Sequence, residues 1–161
     1  MEDYKVRAQN IETRLAELLD LVMQDEFAEV YKGDVEKLRR ELESRLTTLR
    51  TDMRQLTELG KKSFFPGNPV FEDQQRVLIH DIEATGVALE FRINPQLEEI
   101  ALSLRAKAQE VPNLDGGKRG LLQRAVETVD RAIGLVAEPL VKAAALVTAL
   151  KTLITFFQSL S

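Results

Sequence analysis

The sequence has few of the residues that do chemistry. It has no cysteine and no tryptophan, one histidine and two tyrosines. Without cysteine there is no disulfide and no thiolate metal site, and the redox state of the compartment is left open. Positive charge is not in excess either. The net charge of −4 argues against nucleic acid as the main partner, because phosphate contacts need a basic surface. No uncharged apolar run approaches the ~18 residues of a membrane span, and the longest near the end is Thr152 to Ser161. The opening residues, Met-Glu-Asp-Tyr-Lys, lack the basic-then-apolar pattern of a secretory leader, so a cytoplasmic protein is expected. No solenoid-length repeat and no low-complexity segment is visible.

What the chain does have is helical periodicity along almost its whole length. Charged residues at 30% and apolar residues at 44% suit a globular chain, and 161 residues suffice for one substantial core. Tyr4, Ala8, Ile11, Leu15, Leu18 and Val22 alternate spacings of four and three, a coiled-coil-like seam on a helix from 3 to about 32. Gly33 and Asp34 then read as a left-handed cap followed by an N-cap, which folds the chain into an antiparallel hairpin. The second arm, 35 to about 59, carries Val35, Leu38, Leu42, Leu46, Leu49, Met53, Leu56 and Leu59 and ends at Gly60.

Two shorter helices are expected between 61 and 114. Asn68-Pro69 and Asn94-Pro95 each read as an N-cap with proline at the first helical position, placing helices at 69–92 and 95–110. Gly86 to Ile93 also fits a short strand, but the chain offers no partner strand. Pro112 and Asn113 end the fourth helix and Asp115 caps the next.

The last third, 115–161, is the most apolar. From Ala132 onward only Glu138, Lys142 and Lys151 are charged. Pro139 lacks turn residues around it, so it predicts a kink in one long rod. The expected fold is an all-α, elongated, up-and-down bundle of about four rods and five to six helices. Its parts are an N-terminal hairpin (1–60), a middle pair (61–114) and a kinked apolar strut.

Searches for catalytic patterns come up short. His80 and Glu83, three apart in Ile-His-Asp-Ile-Glu, would both reach one metal ion. Di-metal bundles instead use Glu-x-x-His twice with further carboxylates, and no second histidine exists. A solvated polar pair is the expected reading. Asp115-Gly-Gly-Lys-Arg-Gly has Arg119 where a Walker loop needs Ser or Thr, and it reads as a capped helix start. It also lacks the alternating acidic ligands of a calcium loop. Arg39, Arg40, Arg45, Arg50 and Arg54 form a basic stripe. Glu36–Arg40, Arg39–Glu43, Glu41–Arg45 and Arg54–Glu58 are each four apart, so local pairing is expected to neutralise most of it.

The sequence therefore points away from an enzyme and from any cofactor, metal or small-molecule ligand. It favours a protein-interaction or regulatory module, an adaptor or oligomerisation domain with a protein partner or a second copy. Phe64, Phe65, Leu153, Phe156 and Phe157 are its candidate interaction surface. The alternative is a membrane-active effector that inserts the apolar helix of 132–160 into a lipid surface, or binds one.

Overall fold

A computed structural model describes residues 2–31, 35–62 and 69–160. Among them the chain is mostly helical, and no strand occurs. The helices are α1 (Glu2–Val22), α2 (Asp25–Val30), α3 (Glu36–Lys62), α4 (Pro69–Ala88), α5 (Asn94–Gln109), α6 (Gly116–Gly134) and α7 (Pro139–Gln158). A single π-helical segment, Leu89–Ile93, joins α4 to α5 without interruption. Counted with that continuous rod as one, there are six helices, and the fold is the expected all-α bundle.

The rod running from Pro69 to Gln109 sets the architecture. At ~1.5 Å per residue it is roughly 60 Å long, and both halves of the molecule hang on it. The N-terminal half places α1 and α3 against α4 and against each other; the C-terminal half wraps α5, α6 and α7 together. Helix α7 also touches α1, α2, α4 and the π-segment, so it is the element shared by both halves.

The core follows the sequence periodicity closely. Ala8, Ile11, Leu15 and Leu18 of α1 and Leu38, Leu42, Leu46 and Leu49 of α3 are buried, as a three-four seam requires. Arg50 Nε meets Glu12 Oε1 at 3.2 Å across the hairpin. Helix α7 contributes Ala143, Leu146, Val147, Ala149, Leu150, Leu153, Ile154 and Phe156, all buried. These residues touch one continuous apolar cluster drawn from both halves.

Several boundaries differ from the sequence expectation. The first helix breaks at Met23–Gln24, where the chain turns and restarts as α2; Phe27, fully buried, anchors the new segment. Helix α3 runs through Gly60 to Lys62, so Gly60 is not its cap. The Gly33–Asp34 junction lies outside the described residues. Residues 86–93 form no strand: Gly86 to Ala88 finish α4 and the rest is the π-segment. Asn94 does not cap a new helix. Its backbone is already helical, and its buried side chain donates through Nδ2 to Pro139 O at 3.0 Å. The side chain that would have started a helix ties the rod to the beginning of α7 instead.

The largest correction concerns Pro139. Helix α6 ends at Gly134, Leu135 is extended, and Pro139 occupies the first turn of a separate helix. Helices α6 and α7 pack against each other more extensively than any other pair, so the last third is a hairpin and not a kinked rod. Proline at the start of a helix loses no hydrogen bond, because that N–H has no intrahelical partner anyway. Five rods result where four were expected. Asp115 does cap α6 as read: its Oδ1 accepts from Lys118 N at 2.8 Å. Asn113, at φ 59°, supplies the left-handed turn before it.

Candidate functional site

Two exposed features involve the long rod. The first is an apolar stripe on the rod. Val77 is 60% exposed, Val87 55% and Phe91 69%, and Ala84 between them is also exposed. Spacings of seven, three and four put these side chains along one face, opposite the buried Leu78, Ile82 and Leu89. The stripe continues from α4 into the π-segment, a helix distortion that often accompanies functional positions.

The second feature is a concave, charged groove between α3 and the same rod. It encloses about 590 Å³. Lys37, Arg40 and Arg45 come from α3, and Arg92 from the π-segment; Glu41 and Asp81 are the acids in its wall. A neighbouring hollow of about 490 Å³ shares Lys37, Glu41 and Arg92 and reaches Phe91. Helices α3 and α4 pack closely, whereas α3 makes little contact with the π-segment, so the two walls part there.

The pairing of these charges departs from the sequence expectation. Arg39 meets Glu36 at 2.7 Å and Glu43 at 3.7 Å, and Arg40 lies 4.0 Å from Glu36. Glu41, expected to serve Arg45, is engaged elsewhere. Its Oε1 lies 3.2 Å from Arg92 Nε and its Oε2 accepts from Gln96 Nε2 at 3.1 Å. Among the described residues, no ion pair involves Lys37, Arg45 or Arg54. Sequence spacing missed this because it counts only neighbours on one helix, and the competing cation arrives from a different one.

Further along the interface Asp52 is buried at 7% exposure, and its Oδ2 has no protein hydrogen-bond partner. Loss of water raises the pKa of its carboxyl, and the nearby Asp81 charge raises it further. Thr85, also buried, returns its hydroxyl to the Asp81 carbonyl in its own helix.

Of the candidate surface named from sequence, Leu153 and Phe156 are fully buried core residues, because they lie on the inner face of α7 against its neighbours. Phe157 is half-buried and stacks edge-on against Phe156 at 5.4 Å between ring centres. Phe64 and Phe65 lie outside the described residues. His80 and Glu83 are exposed on α4. Among the described residues, no group of three or more His, Asp or Glu side chains is placed to hold a metal ion. No protein-family model, curated protein or solved structure matches this chain.

Proposed function

We propose that this chain is a non-enzymatic protein-interaction module that docks a partner protein on the exposed apolar stripe of its long rod. The observation that carries this reading is the exposed stripe of Val77, Ala84, Val87 and Phe91. Large apolar side chains aligned on one solvent-facing side of a helix mark association surfaces more often than scattered ones do. The test compares the protein with a Val77→Glu, Val87→Glu variant in chemical cross-linking and in size exclusion with light scattering. Partner or self-association should be present in the first and lost in the second, with helix content unchanged. A strict monomer that captures the same proteins with and without the stripe would end the reading.

A second reading has one specific observation behind it. Helix α7 is 20 residues long with a mean hydropathy of 1.7, enough by length and composition to cross a membrane. In this reading α7 leaves the bundle and enters lipid. The same composition is expected of a central strut, and 44% of that window is buried inside the bundle. Lys142 is also engaged within the fold, 2.6 Å from Glu98 Oε1. Dye release from anionic liposomes tests it: absence of leakage at neutral and acidic pH would discard it.

A further inference from the structure

We infer that the groove between α3 and the rod binds an acidic peptide segment of a protein partner. This inference rests on the interaction-module reading and shares Ala84 and Phe91 with its stripe, but its cations are not part of that stripe, so substitutions at Lys37 and Arg45 and at Val77 and Val87 let the two fail separately.

The chain as a whole is acidic at −4, yet this concavity gathers Lys37, Arg40, Arg45 and Arg92 against only Glu41 and Asp81. Glu41 is committed to Arg92 and Gln96, which leaves Lys37 and Arg45 without an ion-pair partner among the described residues. A bundle gains nothing in stability from cations left in this way, since exposed unpaired charges contribute little. An anion held between them would gain from both, in a salt-dependent way.

Geometry selects the kind of anion. Lys37, Arg40 and Arg45 are spread along α3 over about 12 Å at ~1.5 Å per residue. They do not converge on a point, as the cations of a single-phosphate site do. Distributed cations match distributed carboxylates, roughly one or two per turn of a helical peptide or every second residue of an extended one. The groove also has an apolar side. Ala84 lies in its wall, and Phe91, 69% exposed, borders the adjoining hollow. The fitting ligand therefore mixes Glu or Asp with an occasional apolar residue.

The test uses the full chain and a fluorescein-labelled peptide of three Glu-Glu-Leu repeats, read by fluorescence anisotropy. Binding should be saturable and should weaken between about 50 and about 300 mM salt. The matching Gln-Gln-Leu peptide should not bind. Lys37→Glu with Arg45→Glu should weaken affinity by about tenfold or more. Arg124→Glu with Arg131→Glu, on the exposed side of α6, should leave it unchanged, as should Val77→Glu with Val87→Glu on the stripe. Circular dichroism checks that the groove variant folds, and the milder Arg45→Gln should still weaken binding severalfold. The inference is overturned if the peptide does not bind, if the glutamine peptide binds equally, or if the α6 variant loses as much as the groove variant. Displacement by inorganic phosphate at the peptide's own concentration would point to a small-anion site and also overturn it. So would self-association that vanishes in the groove variant, which would make a second copy the occupant.

Discussion

Helices α3 and α7 sit in the same bundle but handle charge in opposite ways. Helix α7 carries Lys142 at its first turns, and that ammonium is tied to Glu98 Oε1 at 2.6 Å with a longer contact to Ile133 O. That cation is part of the packing between α5, α6 and α7, whereas Lys151, on the outer face of α7, is exposed. Helix α3 carries cations throughout its length, and those facing the rod are only partly answered. The difference follows from burial. The Lys142 side chain is only 24% exposed, against the neighbours of α7, so its charge needs a partner to avoid the cost of losing water. Helix α3 buries one stripe and leaves the rest to solvent, where an unpaired charge costs little. The inward face of α7 thus serves the fold, while α3 leaves part of its charge to solvent.

Substitutions can sharpen that division. Phe156→Ala on α7 should be the most damaging, about 3–5 kcal/mol, because a fully enclosed ring leaves a cavity. Urea unfolding followed by circular dichroism measures it. Asn94→Ala should cost about 1–2 kcal/mol by stranding the Pro139 carbonyl that its amide now serves. Asp52→Asn should act in the other direction. Burial and Asp81 raise the folded-state pKa of Asp52 above its unfolded value, so the folded state holds the proton more tightly. The folded state is then penalised above that raised pKa, and the penalty is relieved as pH falls through it. The asparagine variant should melt somewhat higher than the parent at pH 7, with the advantage vanishing at acidic pH. Thermal scans across pH decide this, and a lower melting temperature at pH 7 would show that the carboxylate is well solvated. Arg45→Gln should change stability least, within about 0.5 kcal/mol, while affecting peptide binding.

Much of the fold was legible because burial imposes a period on the sequence. The seams of α1 and α3 and the apolar character of α7 could be read before any coordinate. Local signals failed where a distant partner decided the outcome. Asn94-Pro95 carries the pattern of a helix start, yet the asparagine amide is used by Pro139 and the chain stays helical through a π-turn. Gly134 followed by Pro139 did contain the signature of one helix ending and another beginning, and the absence of classical turn residues between them obscured it. Nothing at Met23–Gln24 announces a break, since neither residue is a strong helix breaker. The exposed stripe was visible as valines but not as a surface, because the rod's buried side is set by helices far away in sequence. The groove was hidden for the same reason: the pairing of Glu41 with Arg92 spans two helices.

Helix α7, whose inner face is buried against both halves of the molecule, is expected to be the element least able to detach on its own. Native-state hydrogen exchange tests this directly, through the amides from Leu146 to Phe156. The structure predicts that they exchange last, with an opening free energy equal to that of global unfolding and falling with urea at the same slope. Exchange of these amides well before those of α3, with little urea dependence, would show that α7 detaches on its own and would contradict the account.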